Sequence, residues 1–293
     1  MCQRASVFSQ PNTRAGDRIA VALLASVAVK LSRPLLAVLA AIFLFAWLLP
    51  ANRSLVRPDE GRYTEIAREM AVSGDYVTPR LDGLKYFEKP PLQYWATATA
   101  FSVLGQSDAA SRWWPAFAGL LTLAFVFLGA RALADATTAW TATAMLGAMA
   151  YFFIIAHINT LDMGLTAFMT LTLVGLLRGF GVAGQSESAA RRWMVAAWAG
   201  AGLAFLSKGL IGIVLPGAIF VLYLLMTRQW RLLRRLEWIW GPLVFLLIAL
   251  PGRCLCNRAT RSGRTFSSST NTLAAFRKRS MNGWGRRFIS CRF

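Results

Sequence analysis

Long apolar stretches alternate along the chain with short polar connections that are rich in arginine and lysine. The apolar stretches cover residues 34–50, 113–130, 136–156, 163–180, 193–206, 210–226 and 238–250. An α-helix needs about 20 mostly apolar residues to cross a bilayer, and most of these stretches approach that length. The pattern therefore predicts an all-α fold, a polytopic transmembrane helical bundle of about seven spans.

Composition and charge favour a membrane protein over a nucleic-acid-binding one. Hydrophobic residues make up 56% of the 293 residues and the mean hydropathy is +0.47, whereas soluble domains are roughly 45–50% apolar. The formal net charge is +19, but ten of the 32 basic residues lie in segment 252–293, which has no acidic residue. Elsewhere the basic residues cluster between apolar stretches, which is typical of membrane topology. We therefore expect the membrane as a partner and no nucleic acid.

One further apolar stretch, at residues 90–105, is short and polar for a span. It opens on two prolines and carries Gln93 and several threonines. The positive-inside rule resolves the ambiguity, because the basic segment 1–33 places the start of the chain in the cytoplasm. If residues 90–105 do not cross, three basic connections also become cytoplasmic, near Arg131, at 178–192 and at 228–237. We therefore predict an amphipathic helix lying along the outer membrane surface.

This topology gives the chain a long first periplasmic loop at residues 51–112. The loop carries amphipathic juxtamembrane helices, one of which is predicted just after the sequence RPDEGRY at 57–63. The short connection 157–162 lies on the same face of the membrane. Two regions that are distant in sequence and rich in ionisable residues are therefore expected at one face of the membrane, opposite the cytoplasm.

The ionisable residues on that face suit a reaction at a lipid-linked phosphate. Cations must hold the phosphate, and Arg62, Lys89 and Lys208 can supply them. A hydroxyl acceptor needs a base, and Asp59 can act as one. Asp162 stands at the edge of a span, where ionisable residues usually face a cavity or a partner, and it can orient a lysine or keep the base ionised.

Simpler readings of the same residues stay open. Asp59 and Glu60 can belong to a solvated loop, and the aromatic residues nearby can serve only to anchor the protein at the bilayer interface. His157, the only histidine, is better explained as a packed residue than as a metal ligand. A transporter or channel subunit, or a non-catalytic membrane protein, is a further alternative, although its ionisable residues would line several spans rather than gather at one face.

Four sequence motifs resemble those of a known enzyme family. They are DEGRY from Asp59, YFEKP from Tyr86, NTLDMGLTAF at 159–168 and LSKGLIG at 206–212. They are similar to motifs of GT-C-type bacterial membrane glycosyltransferases of the aminoarabinose transferase type, which are related to the dolichyl-phosphate-mannose protein mannosyltransferases. The resemblance covers residues 34–251, which we interpret as the N-terminal part of a glycosyltransferase membrane domain behind a cytoplasmic N-terminus, 1–33.

The resemblance implies a glycosyltransferase that moves a sugar from a polyprenyl-phosphate donor to an acceptor hydroxyl, with inversion at the anomeric carbon. The implied acceptor is lipid A or another lipid or glycan, and the alternative acceptor is a protein hydroxyl, as in protein O-mannosyltransferases. The sugar is not specified by the sequence. Both substrates and the reaction would be found at the outer face of the inner membrane.

The resemblance also implies individual roles. Asp59 corresponds to the residue that activates the acceptor hydroxyl, while Arg62, Tyr86 and Lys89 correspond to ligands of the donor phosphate. Asp162 corresponds to the carboxylate that partners Lys89. The resemblance also implies a divalent metal in the full-length form, held by Glu88 and by a histidine later in the chain.

The resemblance stops after Pro251, and the basic tail at 252–293 has the composition of a disordered segment. Reading its codons one base back permits a Trp at 252, the motif His-Glu-His within 267–272 and further residues typical of the family. We therefore hypothesise that a lost base near this point puts the tail out of frame. The chain would then be a truncated form, with the first half of the transferase core.

Overall fold

The structure of the protein, a computed structural model, describes Phe43, Trp47 and residues 54–56, 58–181 and 185–261, the last ten as backbone alone. The chain divides into two compact units, Met1–Trp47 and Leu48–Phe293. In the first unit both described residues are helical, and their ring centroids are 5.4 Å apart. The basic segment 1–33 and most of the tail therefore lie outside the described residues, as does nearly all of the first predicted span.

Helices make up most of the described part of the second unit, as the sequence predicts. They are α1 (Asp59–Ser73), α2 (Leu92–Leu104), α3 (Asp108–Ser111), α4 (Trp113–Leu133), α5 (Ala136–Ala148), α6 (Ala150–Ala156), α7 (Asp162–Gly179), α8 (Glu187–Lys208), α9 (Ile211–Thr227) and α10 (Trp240–Arg261). A 3₁₀ helix spans Trp230–Arg235, and a two-stranded antiparallel ribbon joins β1 (Arg80–Leu81) to β2 (Leu84–Lys85).

Length and hydropathy identify fewer complete spans than the sequence pattern predicts. Within the described ranges one helical stretch, Asp108–Leu133, is long and apolar enough to cross a membrane. A second candidate is α5 with α6, which the sequence analysis treated as one continuous span at 136–156. This interpretation is corrected, because the two helices meet at 69° where Met149 is extended, two residues after the weak helix former Gly147. The figure of about seven spans stays a prediction.

The cap is the part of the chain at 54–112 that the sequence places outside the membrane, and its two long helices pack on each other. Ile66 and Met70 of α1 are fully or almost fully buried against Tyr94 and Ala98 of α2. The predicted short helix after RPDEGRY is therefore confirmed as α1, and the stretch 90–105 forms a 13-residue helix of its own. Its position along a membrane surface stays a prediction.

The ribbon in the cap is specified by local sequence. Asp82 and Gly83 form its turn with φ angles of +52° and +75°, and an Asp-Gly pair with two positive φ angles is typical of a tight two-residue hairpin. The backbone N–H of Tyr86 then donates to the carbonyl of Pro79 at 2.8 Å. This hydrogen bond directs the chain after β2 back towards α1.

The helices α7 and α8 approach each other closely through small residues. A Cβ added to Gly175 would lie 2.8 Å from the Cα of Ala197, and one added to Gly200 would lie 3.0 Å from the carbonyl oxygen of Phe168. Close backbone approach of this kind is how helices pack where the surroundings are apolar. Because α7 begins at Asp162 and α8 ends at Lys208, the pairing brings both residues to one end of the bundle, here called the Asp162 end.

Candidate active site

Asp59 occupies the first position of α1, where it is accessible to a substrate. Its side chain is 57% exposed, and its Oδ1 lies 3.6 Å from Nη2 of Arg62, one helical turn later. A carboxylate in the first turn of a helix is stabilised by the unpaired backbone N–H groups there. The local geometry therefore offers an accessible carboxylate oxygen with a guanidinium beside it.

Tyr86 connects Arg62 to Glu88 and Lys89. Its hydroxyl donates to Oε2 of Glu88 at 2.7 Å, and Nζ of Lys89 lies 3.4 Å from Oε1 of the same carboxylate. Burial and this hydrogen bond raise the pKa of Tyr86, while the hydrogen bond from Tyr86 lowers the pKa of Glu88. The hydrogen bond between Arg62 and Tyr86 raises the pKa of Arg62. Four of the residues selected from the sequence thus form one cluster in the cap.

Asp162 and Lys208 form a second pair, and this corrects one expectation. The Nζ of Lys208 donates to Oδ1 of Asp162, with about half of the carboxylate side chain exposed. The resemblance implied Lys89 as the partner of Asp162, but Lys89 is paired with Glu88. The physical reason is that α7 and α8 are adjacent and antiparallel, so the first residue of one meets the last residue of the other.

The two groups of residues lie next to each other. A Cβ placed on Gly209 would be 3.9 Å from Cγ of Pro90. Gly209 directly follows Lys208 in sequence, and Pro90 directly follows Lys89. Leu92, at the start of α2, also packs against the cluster around Phe168 at the same end of the bundle. The cap therefore places its cationic residues beside the Asp162 end.

A buried ion pair below this surface was not found by sequence reasoning. Glu60 and Arg112 both have fully buried side chains, and Arg112 donates from Nε to Oε1 at 2.7 Å and from Nη2 to Oε2 at 3.2 Å. Glu60 also accepts from the backbone N–H of Val56 at 2.7 Å and of Asn159 at 3.1 Å. One sequence signal was present, because Arg112 is the only charged residue between Asp108 and Arg131.

The buried ion pair continues into a network around Asn159. The side chain of Asn159 donates to Oγ1 of Thr64 at 2.9 Å and accepts from Gln93 and from Thr97. All of these side chains are buried. The network therefore ties α1, α2 and the connection before α7 together directly behind Asp59 and Asp162.

The charge state of Glu60 follows from its surroundings. Burial alone would raise its pKa, but the hydrogen bonds from Arg112, Val56 and Asn159 together lower it below the ordinary value of a glutamic acid. Its neighbour in the cap, Tyr63, has a pKa raised to about 12, mainly by burial. Glu60 is therefore an ionised structural carboxylate, while the adjacent Asp59 is the reachable one.

The two oxygens of Glu88 are occupied, one by the hydroxyl of Tyr86 and the other by Nζ of Lys89. In the described ranges Glu88 belongs to no group of three metal-ligating residues, and the metal site that the resemblance implies stays a prediction. One group of three carboxylates does occur in those ranges, at Glu65, Glu69 and Asp82, but Glu65 is paired with Arg68 and Glu69 accepts from Gly83. His157 is a packed residue whose Nδ1 lies 2.8 Å from the carbonyl oxygen of Phe153.

Comparison with curated proteins finds relatives that are nearly twice as long as this chain. The undecaprenyl phosphate-α-4-amino-4-deoxy-L-arabinose arabinosyl transferase of Shewanella sediminis is 31% identical over 212 residues, which is 71% of this chain and 38% of the relative. The enzyme of the same name from Pseudomonas savastanoi pv. phaseolicola is 34% identical over 215 residues, 72% of this chain and 39% of the relative.

Comparison with solved structures finds a similar fold. The crystal structure of ArnT from Cupriavidus metallidurans bound to undecaprenyl phosphate matches with a TM-score of 0.76 and 40% identity, over 79% of this chain and 43% of that one. Its apo state matches with a TM-score of 0.70 and 38% identity, over 86% of this chain and 44% of that one.

A family model also matches most of the chain. The model for dolichyl-phosphate-mannose-protein mannosyltransferase matches residues 31–260. This range contains both site clusters, the buried network and helices α1 to α9. The chain spans about two fifths of the length of the curated relatives above. With most of its residues inside the match, the chain belongs to the dolichyl-phosphate-mannose-protein mannosyltransferase family.

Proposed function

We propose that the chain carries the donor-phosphate and base groups of a glycosyltransferase active site. The enzyme transfers a sugar from a polyprenyl-phosphate donor to an acceptor hydroxyl of lipid A or of another lipid or glycan. The observation that carries the proposal is the meeting of two accessible charge clusters beside Pro90 and Gly209. The similarity to the ArnT structure that is bound to undecaprenyl phosphate supports the choice of donor.

In this proposal the cations of the site hold the donor phosphate. Arg62, Lys89 and Lys208 each stand beside a carboxylate in the structure, so a phosphate can replace that carboxylate as their partner. Tyr86 adds a neutral hydroxyl donor whose raised pKa keeps its proton in place. Asp162, at the start of α7, orients Lys208, which ends α8.

Asp59 then acts as the base in the transfer step. It takes the proton of the acceptor hydroxyl while the acceptor oxygen forms a bond to the anomeric carbon on the face opposite the phosphate. The bond between that carbon and the phosphate oxygen breaks, and the lipid phosphate leaves with additional negative charge. The neighbouring cations stabilise this charge, and the configuration at the anomeric carbon is inverted.

We further propose the topology of the protein. The N-terminus, 1–33, is cytoplasmic, the Asp162 end and the cap face the periplasm, and about seven helices cross the bacterial inner membrane. The basic connections at the opposite ends of the helices, at Arg178 and within 187–192 and 228–235, support this orientation through the positive-inside rule. Residues 34–251 form the membrane domain, and 252–293 is the out-of-frame tail.

The experiment separates binding from chemistry. The chain is purified in nanodiscs and its affinity for undecaprenyl phosphate is measured. Transfer from a labelled donor to lipid A is followed in membranes that contain the protein with its reading frame restored after Pro251. Asp59→Asn is expected to retain binding and to reduce transfer by at least about 100-fold. The matched control is Asp82→Asn, an exposed carboxylate in the same cap, which should alter neither. Transfer retained in Asp59→Asn would remove this residue from the catalytic role.

A protein hydroxyl is the second candidate acceptor, because the family model that matches the chain is named for protein mannosyltransfer. Transfer assays with lipid A and with a serine- and threonine-containing peptide distinguish the two. Labelling of the peptide but not of lipid A would favour the second candidate.

A further inference from the structure

Arginines and tryptophans collect at the end of the bundle opposite the Asp162 end. The helix α8 begins there at Glu187, and α10 begins there at Trp240, while α9 ends there at Thr227. With a rise of about 1.5 Å per residue, the 22 residues of α8 separate this end from Lys208 by about 30 Å. Here it is called the arginine end, and none of the proposed catalytic groups lies in it.

Several guanidinium groups at the arginine end have no acidic partner. Arg191 is paired with Glu237 at 3.2 Å and Arg235 with Glu187 at 3.5 Å. In the described ranges, four exposed arginines have no carboxylate within 4.0 Å, namely Arg192, Arg228, Arg231 and Arg234. A solvated loop can carry such residues, but here they lie in and beside two clefts.

The larger cleft combines cations, a hydroxyl and an indole. It has a volume of about 770 Å³ and is lined by Ser188, Arg191, Arg192 and Val195 of α8 and by Trp240 of α10. Guanidinium groups and a hydroxyl are the donors that bind phosphate oxygens. The Trp240 side chain is 53% exposed, and tryptophan favours the boundary between lipid headgroups and acyl chains.

A second cleft of about 550 Å³ lies at the end of α9. It is lined by Arg228, Gln229, Trp230, Arg231 and Leu232, so it repeats the combination of arginine with an exposed tryptophan. The ion pair between Arg191 and Glu237 holds the connection that follows this second cleft against α8. The two clefts therefore present the same chemistry at the same end of the bundle.

The helix surfaces next to the clefts decide between a lipid and a free phosphate. The last turns of α9 expose Leu222 and Leu225, which are 57% and 55% accessible, and the first turns of α10 expose Leu243 and Leu247. A soluble phosphate compound would make no use of these apolar surfaces. A molecule with an anionic headgroup and acyl chains matches both features.

We infer that the cleft of Arg191, Arg192 and Trp240 binds the phosphate headgroup of an anionic phospholipid, with its acyl chains along α10. The site is separate from the proposed donor site and does not depend on the proposed reaction. Basic pockets between helices at the cytoplasmic side of membranes are suited to such headgroups. Membrane topology and interfacial anchoring explain the arginines and the tryptophan separately, but they do not require the cleft that brings them together.

The test uses the full chain in nanodiscs and native mass spectrometry. The lipids are phosphatidylglycerol and phosphatidylcholine of equal chain length, with inorganic phosphate as a competitor. Arg192→Gln is the informative variant, because Arg192 has no carboxylate within 4.0 Å in the described ranges. The matched control is Arg131→Gln, an exposed arginine at the same end of the bundle, in the last turn of α4.

We expect the wild-type chain to retain phosphatidylglycerol preferentially over phosphatidylcholine. Arg192→Gln should weaken phosphatidylglycerol binding about fivefold, Arg192→Lys should restore most of it, and Arg131→Gln should leave it unchanged. An equal effect of both glutamine variants would overturn the site, because it would show a general effect of charge. Displacement of the lipid by millimolar inorganic phosphate would overturn the lipid assignment.

Discussion

Replacement of Arg112 by methionine is expected to destabilise the protein by about 3–5 kcal/mol. The change removes two hydrogen bonds, of 2.7 and 3.2 Å, from a carboxylate that is completely buried. Glu60 would keep the two backbone N–H groups of Val56 and Asn159, but it would have no compensating positive charge. Methionine replaces only the aliphatic part of the arginine side chain, so the loss combines the unpaired charge of Glu60 with the space that the guanidinium leaves empty.

The double variant Glu60→Gln/Arg112→Met separates the charge from the packing. It removes both charges while the amide oxygen at position 60 still accepts a hydrogen bond. We therefore expect the double variant to lose less stability than Arg112→Met alone, since an ion pair exchanged for neutral groups often costs little. If the double variant loses as much as the sum of the two single variants, the two side chains are not coupled.

The control for this prediction lies on α1, the helix that also carries Glu60. Arg68 makes two hydrogen bonds to Glu65, at 2.8 and 2.6 Å, but both side chains are more than one third exposed. Arg68→Met is expected to cost less than about 1 kcal/mol, because exposed ion pairs contribute little. The free energy of unfolding is measured in mixed detergent micelles by circular dichroism. A loss for Arg112→Met no greater than that for Arg68→Met would refute the reasoning.

Three further predictions follow from the structure and the codons. The pKa of Glu60 is lower in the folded protein than in the unfolded chain, so the unfolded chain takes up the proton at a higher pH. The contribution of Glu60 to the free energy of unfolding is therefore complete above about pH 5 and is lost as the pH falls. Unfolding measured from pH 7 to 3 should show this loss in the wild type but not in Glu60→Gln. Gly175→Ala should cost about 1–3 kcal/mol by overpacking against Ala197, whereas Gly217→Ala, with no atom within 4 Å, should be neutral or stabilising in a thermal melt. Sequencing the gene should reveal codons for 267–272 that encode His-Glu-His one base back, and codons that cannot do so reject the frameshift.

The sequence was sufficient for the features that depend on neighbouring residues. Apolar stretches predicted α4, α7 and α9 to within three residues at each end, and the sequence after Tyr63 predicted a helix that lies within α1. The helix α8 begins six residues earlier than predicted, and α10 ends eleven residues later. The residues expected to bind a phosphate, Arg62, Tyr86 and Lys89, come together in the structure. Hydrophobic period and charge spacing are local properties, so a single sequence records them.

The break at Met149 shows where local pattern is insufficient. The stretch 136–156 is apolar throughout, and its period does not differ between one straight helix and two bent ones. Only the backbone geometry, with its 69° bend, separates them.

The partners of Asp162 and of Glu60 were decided by the tertiary structure alone. Which lysine meets Asp162 depends on which helix ends are adjacent, and the antiparallel packing of α7 and α8 selects Lys208. Asp59 and Glu60 are neighbours in sequence with equal charge, but successive residues of a helix point about 100° apart. The packing of α1 directs one carboxylate into the interior, where Arg112 neutralises it, and leaves the other exposed. The sequence by itself determined which residues carry charge and form helices, and the packing of those helices decided which charges are buried and paired and which stay accessible.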